Sequence, residues 1–211
     1  MTIRDAYHGP VIAVGGPPHS GKSVFLAELY THLNRFSTGI LLQPACPDGE
    51  GMWSAEADYE RAQSLRKKGQ HSLEWNEKTA NCIVTLGRNV HLPMVLIDLG
   101  GKRLPDNELF LARTTHALVV SHDPCESREW KVFIASQGSQ VIGEINTTMK
   151  YLSDDAATIR TLDPDASAEV CFQGHTFVAN LANLERDSTL SSSTRGAISG
   201  IAGWLYAKFL S

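Results

Sequence analysis

Val11-Ile-Ala-Val-Gly-Gly-Pro-Pro-His-Ser-Gly-Lys-Ser23 reads as an apolar strand, a glycine-bounded loop and the start of a helix. Gly16, Gly21, Lys22 and Ser23 fit the spacing G-x-x-x-x-G-K-[ST] of a phosphate-binding loop, the P-loop. The two glycines allow a tight turn that points backbone N–H groups inward as an anion nest. Lys22 brings a point charge for β- and γ-phosphates, and the Ser23 hydroxyl is placed to bind Mg2+. A helix beginning near Lys22 adds the positive end of its dipole to the same spot. The strand before the loop and the helical run Val24-Phe-Leu-Ala-Glu-Leu29 after it supply the context this motif requires. The expected ligands are a nucleoside triphosphate and Mg2+, and the residues expected around the phosphates are Gly16, Pro17, Pro18, His19, Ser20, Gly21, Lys22, Ser23 and Val24.

Outward from this loop, the chain alternates strands and helices. The first helix is expected over 22–35, with Val24, Leu26, Leu29, Tyr30 and Leu33 on its apolar face. Strands follow at 39–43, 92–98, 116–121 and 140–146, and helices at 56–68, 78–89, 105–114 and 126–136. The run 92–98 is continuously apolar rather than alternating, which suits a central parallel strand covered on both faces. Alternation of this kind implies right-handed βαβ units and a mainly parallel sheet. Past Asp154 the pattern changes: 168–172 and 175–179 flank Gln173-Gly174 as a short hairpin, a serine-rich loop spans 188–194, and a last helix covers 195–209. The expected fold is α/β, a P-loop NTPase with a mainly parallel central sheet, flanking helices and a short C-terminal hairpin plus helix. Residues 1–10 read as an exposed arm and 11–211 as a single domain.

Met94-Val-Leu-Ile-Asp98 places an acid at the carboxyl end of an apolar strand, the edge at which open α/β sheets bind ligands. Paired with the phosphate loop, Asp98 is expected to hold Mg2+ together with Ser23. Without such a partner an aspartate there would only cap a helix or satisfy loop amides. Asp98-Leu-Gly-Gly101 also fits a D-x-x-G pattern, whose glycines let backbone amides approach a γ-phosphate. The guanine-selecting N-K-x-D is missing where the next strand ends, at Val120-Ser-His-Asp-Pro124, so ATP is the default nucleotide. Lys102 and Arg103 follow directly. They are either stabilisers of charge on a transferring phosphoryl group or a solvated basic pair.

Asp48-Gly-Glu-Gly51 sits where many P-loop kinases keep an acceptor-binding or base carboxylate. Asp48 or Glu50 is expected to orient a hydroxyl or water and take its proton, although an acidic turn explains the same residues. Trp53 stacks on a ring or packs in a core or lid. Arg66-Lys-Lys68 either complements a helix C-terminus or belongs to a lid over phosphates. Arg113 reads as a sensor, an arginine finger or, preferably, a partner in a surface salt bridge. Of the histidines His19 has the clearest positional claim, and His122 with Asp123 lies at a strand end.

Composition sets limits. The 211 residues suit one α/β domain with a substantial core, and 20% charged with 42% hydrophobic residues is ordinary for a globular chain. A net charge of −4 gives no bulk electrostatic case for long nucleic acid. Cys46, Cys82, Cys125 and Cys171 form no C-x-x-C pair, which argues against a zinc site or disulfide frame and suits a reducing compartment. No stretch approaches the ~18 apolar residues of a membrane span. A cytoplasmic protein with no membrane partner is expected. Trp204 or Phe209 on the last helix would serve a homo-oligomer interface, but packing on the protein's own sheet is preferred.

Together Gly15-Gly-Pro-Pro-His-Ser-Gly-Lys-Ser-Val24, Ala45-Cys-Pro-Asp-Gly-Glu-Gly51, Asp98-Leu-Gly-Gly101, Thr115-His-Ala117 and Asn183-Leu-Glu-Arg186 resemble a known family. It is the P-loop ATPase domain associated with a type III CRISPR ring nuclease, to which it is fused or beside which it is encoded. The resemblance runs from about residue 10 to residue 187, and its most specific stretch is Ala45–Gly51. It implies an accessory ATPase in cyclic-oligoadenylate signalling and antiviral defence, with a ring nuclease or a cyclic oligoadenylate as partner. The nuclease activity would belong to that partner, and this chain is expected to be the ATPase part alone. The usual label for the family is a AAA-type ATPase. No separate helical lid is expected after the last strand, so a compact kinase-like arrangement fits the residues. Two readings of function follow. One is an Mg2+-dependent ATPase or small-molecule kinase; the other is a non-catalytic nucleotide sensor that assembles with a nuclease.

Overall fold

The computed structural model of the chain describes residues 9–45, 77–78, 80–81, 92–148, 150–154, 157–161, 167–184 and 189–211. The expected N-terminal arm up to residue 8, the loop with Asp48, Glu50 and Trp53, the helix over 56–68 with its basic end, and Glu185 and Arg186 lie outside the described residues. So does most of the helix expected over 78–89, of which residues 78, 80 and 81 are helical, as is 77 just before it.

The elements in order are β1 (Val11–Gly15), α1 (Lys22–Phe36), β2 (Leu41–Pro44), β3 (Val95–Asp98), α2 (Pro105–Leu111), β4 (His116–Ser121) and α3 (Pro124–Ser136). β5 (Gln140–Thr148), β6 (Lys150–Asp154), β7 (Ala157–Thr161), β8 (Glu169–Gln173), β9 (Thr176–Ala182) and α4 (Ser192–Phe209) complete them. Seven strands form one sheet in the order β2-β3-β1-β4-β5-β9-β8. All neighbours are parallel except β8, which pairs antiparallel with β9. The hairpin extends the main sheet, because β9 enters it parallel to β5. β6 and β7 form a separate antiparallel pair that the sequence reading does not foresee.

The continuous apolar strands occur where helices cover both faces. Ile12 and Val14 of β1 join Phe25, Leu26, Leu29 and Leu33 of α1 and Ile198, Ile201 and Leu205 of α4 in one fully buried layer. Val11 and Ala13 of the same strand point the other way, toward Phe110 and Leu111 of α2 and Trp130 and Ile134 of α3. Each such Leu, Ile or Phe contributes about 1.5–3 kcal/mol by leaving water. A bulge between Ala117 and Leu118 shifts the β4–β5 register by one residue, which places Gly143 and Ile145 against the α1 and α4 layer.

Two helix starts fall earlier than expected, for the same reason. The Asp123 side chain accepts the Cys125 N–H at 2.7 Å, so α3 begins at Pro124 with proline in its first turn. Ser191 Oγ accepts the Thr194 N–H at 3.0 Å, so α4 begins at Ser192 and the serine-rich loop is shorter. Trp204 packs between Phe172 and Phe177 of the hairpin, and Phe209 lies against His116, as expected of a helix on its own sheet.

Candidate functional site

β1 is the third strand of the sheet from the β2 edge. The chain leaves it toward β2 and β3, then returns to its other side as β4. Such a switch in direction opens a crevice at the carboxyl ends of parallel strands, and the Gly16–Lys22 loop occupies it.

Three residues of this loop have left-handed backbones: Gly16 (φ +147°), His19 (φ +58°) and Gly21 (φ +82°). At Gly16 a Cβ would lie 1.9 Å from the Val120 carbonyl oxygen, and at Gly21 one would lie 2.6 Å from Leu184 Cβ. No residue with a side chain fits either place. Gly21 is also the N-cap of α1, and that helix has neither a side-chain cap bond nor an acid in its first turn. Its first amides thus remain available to an external anion. Ser20 Oγ is fully buried in the loop and has no hydrogen-bond partner among the described residues. An orphan of this kind costs stability unless a ligand or water meets it. Lys22, 8% exposed, donates from Nζ to the Pro17 carbonyl at 2.8 Å. The ammonium is folded back over the loop. Pro18 is half-buried and His19 exposed at its tip, while Val24 packs against the α1 core.

β3 runs beside β1, with Val14 opposite Asp98. Asp98 is 7% exposed, and its Oδ2 accepts the Ser23 hydroxyl at 3.3 Å. The two expected metal ligands are thereby brought together from sequence-distant elements. Their hard oxygens suit Mg2+, which takes one or two protein groups and fills its octahedron with water and phosphate oxygens. Among the described residues no three His, Cys, Asp or Glu side chains converge.

After Asp98 the chain turns back across the P-loop. A Cβ on Gly101 would come within 2.9–3.0 Å of Pro18 N, Cα and Cγ, so the two loops touch there. Asn107 of α2, 3% exposed and not singled out by the sequence reading, holds this turn. Its Oδ1 accepts the Gly100 N–H at 3.2 Å, and its Nδ2 donates to the carbonyls of Gly100 at 3.0 Å and Lys102 at 2.6 Å. An asparagine two places after Pro105 is the only signal, and it is a faint one.

The basic pair separates. Lys102 is exposed. Arg103 donates to Glu126 at 2.5 Å and to Glu129, and lies 6.0 Å from the Trp130 ring centre. The bond to Glu126 raises its pKa further despite some burial. Arg103 is thus engaged on α3. Arg113 likewise braces structure, donating to the Leu109 carbonyl and to Asn81 Oδ1, and burial lowers its pKa. Asp123 caps α3, and His122 is exposed.

No protein-family model matches the sequence, and no curated protein matches it significantly. Solved structures do match in fold. One is a protein assigned to plasmid partition in Borrelia burgdorferi B31, bound to AMPPNP, with TM-score 0.61, 9% identity and coverage of 95% of this chain and 98% of that one. Another is the cobyrinic acid a,c-diamide synthase of Mycobacterium smegmatis, with TM-score 0.62, 13% identity and 96% of each chain covered. The same synthase with a bound ATP analogue and magnesium gives TM-score 0.60. The fold is that of a P-loop NTPase. At these identities the likeness extends to architecture alone.

Proposed function

We propose that this chain, with residues 11–211 as one domain, binds ATP with Mg2+ in the β1–α1 loop and cleaves the γ-phosphoryl group. The observation that carries the proposal is the meeting of Ser23 and Asp98 at 3.3 Å, beside a buried lysine and a loop whose glycines admit no side chain. Two architectural neighbours are described with an ATP analogue, one of them with magnesium, which favours adenine nucleotides. The guanine-selecting N-K-x-D is missing at the end of β4. Ser121 and Asp123 spend their groups on local backbone, Ser121 Oγ donating to the Asp123 carbonyl at 2.8 Å.

Each residue then has a task. The N–H groups of Gly16 and of His19–Val24 cradle the phosphates, Pro17 and Pro18 having none to give, with Ser20 Oγ as a further partner. Lys22 exchanges the Pro17 carbonyl for phosphate oxygens, a stronger, charge-assisted contact. Ser23 and Asp98 hold Mg2+, which when bound neutralises phosphate charge. Lys102 faces the charge that develops as the bond from the γ-phosphorus to the bridging oxygen breaks. A new bond forms from phosphorus to water or an acceptor hydroxyl, whose proton passes to Asp48 or Glu50, and ADP leaves. In its finer form the protein is an accessory ATPase of cyclic-oligoadenylate signalling, acting with a ring nuclease. That form rests on the sequence resemblance.

The test is ADP release from Mg·ATP, with and without short oligoadenylates and common nucleotides. Lys22→Ala and Asp98→Ala are expected to lose turnover by roughly 10²-fold or more, and Lys102→Ala to lose more than Arg103→Ala. A rise with one added acceptor identifies a kinase, and stimulation by cyclic oligoadenylate supports the finer form. Tight ATP binding without turnover would replace catalysis with sensing. Absence of nucleotide binding would overturn the proposal.

A further inference from the structure

We propose that Asn107 is a positioning residue for the terminal phosphate, the group that distinguishes ATP from ADP. This rests on the reading of the β1–α1 loop as the ATP site. None of the hydrogen bonds described for Asn107 runs to the P-loop or to Ser23 and Asp98. It holds backbone: one bond accepted from the Gly100 N–H and two donated, to the Gly100 and Lys102 carbonyls, at 3.2, 3.0 and 2.6 Å.

The geometry has three consequences. The Gly100 N–H is occupied by Asn107, so it does not serve as a phosphate donor. The next amide, that of Gly101, sits where the turn meets the P-loop, its Cβ position within 3.0 Å of Pro18. The residue after that is Lys102, whose carbonyl Asn107 fixes and whose side chain is exposed. Gly100-Gly101 is also the freest dipeptide a chain can have, and bonds to both backbone groups of Gly100 remove that freedom. Asn107 therefore selects one height and orientation of the turn over the loop. The α- and β-phosphates lie in the nest and need no help from this turn, whereas a γ-phosphate does.

The test compares Mg·AMPPNP with Mg·ADP binding, by calorimetry, for the unchanged protein, Asn107→Ala and Asn107→Asp. For Asn107→Ala, ADP affinity is expected to stay within about twofold while the preference for AMPPNP over ADP falls about tenfold, the size of one to two lost hydrogen bonds. Turnover is expected to fall through kcat, with KM moving less. Asn107→Asp keeps the bond from Gly100, forfeits both donated bonds and adds negative charge, so its loss of preference is expected to be larger. An equal loss of both nucleotides, including loss through unfolding, would make Asn107 a structural clamp and overturn the inference. Unchanged affinities in both variants would overturn it too. An unchanged protein that binds neither nucleotide would instead remove the ATP site, and this inference with it.

Discussion

Gly101→Ala probes a place where the turn after β3 rests on the P-loop. The added Cβ would stand 2.9–3.0 Å from three atoms of Pro18, whereas carbon atoms settle at about 3.5–4.0 Å. The loops must therefore part by roughly 0.5–1 Å. Gly101 does not have a left-handed backbone, so alanine adds no conformational strain and the effect is steric. Neither side yields easily: Pro18 has a fixed φ, and Gly100 is tied to Asn107. The global cost should stay near the low end of the roughly 1–3 kcal/mol of an overpacked site, because Gly101 is half-exposed. The functional cost should be larger, since a shift of about 1 Å in a positioning group can remove roughly 10²-fold in rate. ADP release and urea unfolding measured on the same preparation separate the two. A variant that turns over Mg·ATP at the original rate would refute the view that the contact at Pro18 sets the height of the turn.

Two further outcomes concern the scaffold. Gly143→Ala places a Cβ 2.3 and 2.5 Å from ring atoms of Phe177 and 2.7 Å from Leu118 Cδ2, and should lower stability by about 1–3 kcal/mol; an unchanged denaturant midpoint would contradict this. Glu144 of β5 accepts bonds from Ser127 at 2.6 Å and Lys131 at 2.7 Å on α3. Burial works against its charge, but those bonds and the Lys131 charge prevail and hold the carboxyl below the ordinary 4.5. With a depressed folded pKa, the contribution is complete above 4.5 and fades as pH falls through the lower folded value. Glu144→Gln should thus be less stable than the unchanged protein at about pH 7 and differ less at about pH 3.5. A gap that ignores pH would count against the ion pair.

The centre of the fold was readable because β1, β3 and β4 are covered on both faces, and such strands show as apolar runs. The P-loop was readable because its backbone tolerates only glycine at two places. The pairing of Ser23 with Asp98 followed from those two signals. Other features depend on groups that meet only in the folded chain. Lys102 and Arg103 are indistinguishable in sequence, and what separates them is the Glu126 and Glu129 pair, with Glu126 placed 23 residues after Arg103. Asn107 acts on backbone, which leaves no motif. In the β6–β7 pair, Ala157 and Ile159 do alternate with polar residues as a strand would, but the run is short and Lys150–Asp154 beside it does not alternate. Asp123-Pro124, by contrast, carried a cap signature that sets the start of α3.

The P-loop is held in place by parts of the chain that are made at different times. Val120 closes on Gly16, and Gly101 rests on Pro18. Leu184, beyond the last strand of the sheet, closes on Gly21. During synthesis the loop emerges well before Leu184, which forms one of its walls. A nascent chain carrying the complete motif would still lack the surface against which Gly21 is packed. If the loop holds nucleotide as proposed, its final shape then depends on β9 and the residues after it as well as on the motif itself.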